Sequence, residues 1–261
     1  MEYPGLAYRK PLTHRIHHRS ISELESSVLH ATSAKEFITV IRDALEASIS
    51  AWMKLKCMHR DITPDAITIS DTRRSDDMGH GCLGNWDQAR KGHVEREEEA
   101  NPERQGTWQF ASVGILREPK KAHEIHDDLQ SIFWVAMYTA AHKFPHDRNK
   151  EFNPNMFDEI NDTSTDHPSR YRGGRDKLDW LKRREMVPFF KLPVVHGLLN
   201  KQRQFWAKYE TLRENHEDKA FRALHDAIES NPAPYFLPMF NEALADNSAW
   251  RDGAPTDDQY P

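Results

Sequence analysis

A mainly α-helical fold with one small β-hairpin is what this chain of 261 residues predicts, and three observations carry that expectation. Ser33-Ala34-Lys35-Glu36 has the S-x-x-E form of a helix capping box, in which the serine hydroxyl and the glutamate carboxylate satisfy amide donors left open at a helix start. Phe37, Ile41, Ala44, Leu45, Ile49 and Trp52 then recur at helical spacing, so one long amphipathic helix should lead from the cap toward His59. The second half of the chain repeats its apolar residues at helical intervals almost throughout.

The elements follow in order. Ala66-Ile67-Thr68-Ile69 reads as a short strand ended by the polar cluster at residues 70–77, and Gly81-Cys82-Leu83-Gly84 is the second apolar segment of the hairpin. The longest apolar stretch, Ile132-Phe133-Trp134-Val135-Ala136-Met137, falls far short of the roughly 20 residues that span a bilayer and reads as a buried helix. Leu178-Asp179-Trp180-Leu181 opens one later helix, Leu198 and Leu199 lead another to Leu212, and Phe221, Leu224, Ala227 and Ile228 form a third face closed by Asn231-Pro232. Tyr235, Phe236 and Leu237 begin a final short helix ending near Ala245, and Trp180, Trp206 and Phe240 are expected in the core. Residues 90–105 are a mixed-charge, solvated loop. Residues 161–175, rich in Asp, Ser, Thr, Gly and Arg, are a second exposed loop.

Composition narrows the function classes. With 38% hydrophobic and 30% charged residues, a net charge of −5 and no secretion signal at the start, the chain reads as intracellular, cytoplasmic or nuclear, and not associated with a membrane. Cys57 and Cys82 are two isolated thiols suited to a reducing compartment. Basic residues are dispersed among acids, which argues against nucleic-acid binding. Of the 15 histidines, three clusters raise a metal reading: His14, His17 and His18; His80 and His93; His123 and His126 with Asp127. Two ligands on one helical face need four-residue separation, which His123 and His126 lack. A His-Asp phosphohydrolase would use His126 and Asp127 but needs further paired ligands, so hydrogen-bonding or surface histidines are expected.

Chemistry concentrates in Met58-His59-Arg60-Asp61-Ile62-Thr63-Pro64-Asp65-Ala66. Protein-kinase catalytic loops read H-R-D-L-x-x-x-N, where the Asp accepts the substrate hydroxyl proton and the Asn five residues later holds magnesium. Together with Leu83-Gly84-Asn85-Trp86-Asp87-Gln88-Ala89, Gly106-Thr107-Trp108-Gln109-Phe110 and Asp128-Leu129-Gln130-Ser131-Ile132-Phe133, this loop resembles the fungal-type protein kinase family, whose motifs run H-R-D-I-S-x-x-N, L-I-D-W-D-L-A, G-T-W-Q-F-M-S and H-D-L-E-S-L-F in that order. The resemblance is close over residues 14–140 and loose beyond. It implies a kinase-like C-terminal helical lobe over residues 33–245 with its activation segment at 85–114, preceded by an N-lobe remnant and hinge at 1–32 and followed by a flexible tail at 246–261.

Residue by residue, the resemblance makes Asp61 the catalytic base, a role worth about 10²–10⁴-fold. Arg60 becomes the arginine that engages the activation segment, Thr107 the threonine facing the catalytic loop, and Asp128 the aspartate that holds the loop's backbone. The departures are as informative. Ala66 and Asn85 stand where the family places its two metal ligands, a methyl and a neutral amide where a hard cation prefers oxygen donors with carboxylate among them. Asp87 occupies the family's second aspartate position. Thr63 stands where many kinases carry a lysine, and Gly114 where an A-P-E-like segment presents its glutamate, a loss expected to weaken the anchoring of that segment. Gly5 is the one glycine before His59, so the expected glycine-rich loop and strand lysine are absent there. Residues 15–21 read as the last strand of the missing lobe and 23–25 as the hinge.

These readings imply a pseudokinase or truncated kinase that acts through protein binding, with no cofactor. A protein partner or self-association is expected at the face left by the missing lobe. The alternative is an ATP-dependent Ser/Thr kinase that uses Mg-ATP and Asp61.

Overall fold

A computed structural model of the chain describes residues 25–70, 79–92, 107–118, 121–147, 160–161, 172–185, 188–246 and 250. The proposed N-lobe strand at 15–21, most of the hinge, the middle of the activation segment and most of the tail lie outside the described residues.

The first helix, α1, spans Ala34–Leu55. Ser33 Oγ accepts from the Glu36 amide at 3.1 Å, as a capping box requires. The Glu36 carboxylate reaches one residue further back than the motif predicts, accepting from the Thr32 amide at 2.6 Å and its hydroxyl at 2.8 Å. Phe37, Ile41, Ala44, Leu45, Ile49 and Trp52 are all buried, so the spacing read from the sequence is the face that packs. Lys56 stops the helix in the left-handed region at φ 52°.

Before α1, strand β1 (Glu25–Ser27) pairs antiparallel with β3 (Ile67–Ser70), which pairs antiparallel with β4 (His80–Leu83). In this hairpin Ile67 faces Leu83 and Ser70 faces His80. The hairpin lies directly on α1. A Cβ at Gly81 would fall 2.3 Å from the Val40 carbonyl, and the Gly81 amide donates to Asp43 Oδ2 at 3.1 Å. A second pair, β2 (Cys57–Met58) with β5 (Arg90–Lys91), joins the end of α1 to residues expected to be a loop.

A five-residue helix, α2 (Val113–Arg117), leads to α3 (Ile125–Lys143). Nearly every α3 side chain from Ile125 to Ala141 is buried, the pattern of a helix enclosed on all sides. Trp134 and Trp206 are fully enclosed, and Trp180 and Phe240 nearly so.

Among the described residues, the second half departs from a wholly helical reading at an isolated bridge between His146 and Phe190 and at β6 (Ile160–Asn161) and β7 (Arg172–Gly173), an antiparallel ribbon that overlaps the expected 161–175 loop. Residues 162–171 are outside the described set. Helix α4 (Arg175–Leu181) begins before Leu178, so Leu178 to Leu181 close it rather than open it. Buried Arg203 caps its end, donating from Nη1 to the Leu181 and Arg183 carbonyls at 2.7 and 2.6 Å. Helix α5 (Pro193–Arg213) opens on a proline, which fits the first helical turn because its missing N–H has no partner there. Helices α6 (Lys219–Ser230) and α7 (Ala233–Ala245) follow. One continuous hydrophobic cluster runs from Val28 to Phe240. Among the described residues, no helix is long and apolar enough to cross a membrane.

Because the Gly81 backbone touches that of Val40, Gly81→Ala is expected to destabilise the chain by about 1–3 kcal/mol through overpacking. Urea unfolding midpoints compared with wild type measure it.

Candidate functional site

The site is assembled where the chain leaves α1. After β2, residues 59–66 cross irregularly to β3, and three groups fix this loop, one of its own and two from elsewhere. His59 is fully buried. Its Nδ1 accepts from the Asp61 amide at 3.3 Å and its Nε2 donates to the Gly84 carbonyl at 2.7 Å, so the ring ties the loop to the turn after β4. Trp86 packs against it with ring centroids 4.7 Å apart.

Asp128, in the first turn of α3, is the second group. Its carboxylate accepts from the amides of His59 and Arg60 at 2.6 and 2.9 Å, and from His123 Nε2 at 2.8 Å. Arg60 sits at φ 74°, a region that costs a side-chain-bearing residue on the order of 1–3 kcal/mol unless its surroundings impose it. Asp128 imposes it. The third group is Thr107, whose amide and hydroxyl both donate to Asp61 Oδ1, at 2.8 and 2.9 Å.

Thr107 is placed in turn by a buried cation. It precedes the 3-10 turn Trp108–Phe110, and fully buried Lys177 of α4 donates to the Gln109 and Ala111 carbonyls at 2.7 and 2.8 Å. The Lys177 ammonium lies 4.9 Å from the centroid of the Trp134 ring, an arrangement that offsets part of its desolvation. Arg60, Asp61, Thr107, Ser112, His123 and Ser131 border an open cleft. Asp61, Arg60 and Thr107 are therefore brought together, with Asp128 supporting them from below.

Ala66, Thr63, Asn85 and Asp87 each have a place in the local structure. Ala66 is fully buried; its amide donates to the Thr63 carbonyl and hydroxyl at 3.1 and 3.2 Å, and its carbonyl accepts from the Gly84 amide at 2.8 Å. Thr63 thus closes a turn on itself, a task suited to a short hydroxyl residue. Asn85 is exposed at φ 56°, a left-handed conformation that asparagine tolerates better than most. Asp87 is exposed in the 3-10 turn that follows.

Gly114 does not leave its segment loose. A Cβ there would lie 2.6 Å from Arg213 Nη1. That arginine pairs with Glu118 at the end of α2 and with Glu210 at 3.0 Å on its own helix. Gln130 completes the anchoring, accepting from the Val113 amide at 2.6 Å and donating to Glu210 at 2.9 Å. Glu118, four residues on from Gly114, supplies a carboxylate to Arg213.

The His123–Asp127 stretch forms the N-terminus of α3. Asp127 accepts from Ser112 Oγ at 2.5 Å, Lys121 Nζ at 2.6 Å and the Glu124 amide at 2.9 Å. Burial opposes its charge, but Lys121, with His126 and His123, holds the carboxyl far below its usual range. These partners take up Asp127 as a structural anchor rather than leaving it open as in a His-Asp phosphohydrolase pair. His126 is buried. His80 opens β4, while His14, His17, His18 and His93 lie outside the described residues.

Two residues absent from the sequence reading stand beside this cluster: His225 and Glu229 of α6, with His225 Nε2 3.5 Å from Glu124 Oε1. The Glu124 carboxylate, at the long end of hydrogen-bonding reach, raises the His225 pKa against the opposing effect of burial, with Glu229 adding to the rise. Their i, i+4 spacing is the signal that could have found them.

Against known proteins, a family model described as fungal protein kinase matches residues 6–140, taking in α1, the loop at Asp61, the hairpin, Thr107 and most of α3. No curated protein matches the chain.

Asp128→Asn places a donor against one of two backbone donors and removes the anion facing His123. A loss of about 1.5–3 kcal/mol is expected on unfolding in guanidinium, with faster hydrogen exchange at the His59 and Arg60 amides. For His225, the folded pKa lies above the ordinary 6.5. The stability it contributes is therefore fully present below about pH 6.5 and lost as pH rises through the raised folded value. Wild type should exceed His225→Gln by about 0.2–1 kcal/mol at the acidic end, and urea titrations across pH 6–9 should show the difference closing.

Proposed function

The chain belongs to the fungal protein kinase family, and from that membership we propose that it is a kinase-like domain with phosphoryl transfer lost or much reduced, acting through binding of another protein. Ala66 carries this reading. Phosphoryl transfer depends on metal ions that bridge the nucleotide phosphates and neutralise developing charge. At one ligand position the chain offers a methyl with 0% exposure, and at the other the uncharged, exposed Asn85. Asp61 without metal is a base with nothing to activate it against. The loop around it is held by protein groups alone, Asp128, His59 and Thr107, so the lobe keeps a defined surface independently of catalysis. This reading includes an intracellular location, cytoplasmic or nuclear, supported by the free thiols Cys57 and Cys82, and no nucleic-acid partner.

One observation favours the rival, a Ser/Thr kinase that uses Mg-ATP: Asp61 and Thr107 keep a hydrogen-bonded arrangement in the cleft. Two measurements separate the readings. On the proposed reading, saturating Mg-ATP leaves the melting temperature unchanged, whereas a nucleotide at 100 times its dissociation constant would add about 2.7 kcal/mol. No phosphate should move from radiolabelled ATP to protein substrates with magnesium or manganese. Transfer by wild type that Asp61→Asn abolishes would overturn the proposal.

A further inference from the structure

Both groups of potential metal ligands among the described residues share Glu124, where the start of α3 meets α6. We propose that Glu124, His225 and Glu229 bind one borderline transition-metal ion, zinc foremost, tying the start of α3 to α6. The proposal is independent of whether Asp61 transfers phosphate.

His225 and Glu229 are four residues apart on α6, the separation that places two ligands on one helical face. With Glu124 they offer three ligand atoms within 4.8 Å of one another. Glu124 Oε1 lies 3.5 Å from His225 Nε2. Two atoms each bound to tetrahedral zinc at about 2.0–2.2 Å stand roughly 3.3–3.6 Å apart, so this pair is already at ligand spacing.

A separate observation points the same way. The His126 side chain is 3% exposed, yet its Nε2 has no hydrogen-bond partner; it faces Asp127 Oδ1 at 3.6 Å and Glu124 Oε2 at 3.9 Å. The same ring's Nδ1 lies 3.4 Å from Glu229 Oε1, so His126 stands beside the ligand set and can hold Glu229 toward the ion as an outer partner. His225 has an outer partner of its own, its Nδ1 lying 3.0 Å from the Tyr209 hydroxyl.

The surroundings are compatible with a dication. Lys121 occupies Glu124 Oε2 at 2.9 Å and leaves Oε1 to the metal. The Glu229 backbone is pinned by Trp52 Nε1 at 2.7 Å. Glu124, His225 and Glu229 are each about a quarter exposed, at 26%, 22% and 23%, which leaves the ion an entry path. An imidazole with two carboxylates in a three-ligand set favours zinc over magnesium or calcium.

The test is zinc titration of the full chain after chelator treatment, by calorimetry and thermal melting. Wild type should bind one zinc ion at this site with a rise in melting temperature, magnesium should produce no rise, and Glu229→Gln and His225→Gln should each weaken that binding by 100-fold or more. Glu229→Gln keeps shape and length, so it decides the matter should His225→Gln misfold by circular dichroism. The proposal is overturned if wild type binds no zinc, if magnesium stabilises equally, or if folded Glu229→Gln binds zinc as wild type does.

Discussion

A single buried carboxylate, Asp128, sets the geometry on which the candidate site depends. It sits in the first turn of α3, where the helix dipole favours negative charge, and spends that charge on two backbone amides of a loop nearly 70 residues earlier in the chain. Arg60 could relax from its left-handed conformation if either amide were released. With both held, the side chains on either side have fixed directions: His59 inward to the Gly84 carbonyl, Asp61 outward to Thr107. The end of α1, the hairpin and the Thr107 segment meet at this point.

The lobe's internal logic separates scaffolding from chemistry. Each hydrogen bond described for the Asp61 loop is made by a backbone group or by His59, Thr63, Thr107 or Asp128. Ala66 joins that set through its amide and carbonyl alone. Its side chain makes no hydrogen bond there and serves the fold by filling a fully buried space.

Legibility in the sequence tracked the range of the interaction. Local signals were readable: the Ser33 cap, the apolar face of α1, the hairpin, and aromatics such as Trp206 at helical spacing. Two-residue strands such as β2 and β5 are too short to show a period of two, and Arg90–Lys91 carried only charge, so a solvated loop was the natural expectation. Contacts between distant charged residues were invisible for a different reason. Glu118 and Arg213 are 95 residues apart, and no pattern within either segment announces the other. Nothing local in the sequence marks Lys177 as buried, and only the packed structure shows the carbonyls that make its burial tolerable. His225 and Glu229 had a legible spacing, but their neighbours Glu124 and His126 lie on another helix.

Gly114 has a consequence for what its position can accept. Arg213 divides its guanidinium between Glu118 and Glu210, and the space beside position 114 is filled by its Nη1 and by Lys121 Cδ. A glutamate at 114 would compete with Glu118 for a cation already satisfied, adding bulk without adding an ion pair. The guanidinium therefore acts as a filter on side-chain size at a neighbouring helix, and an electrostatic contact sets a steric rule.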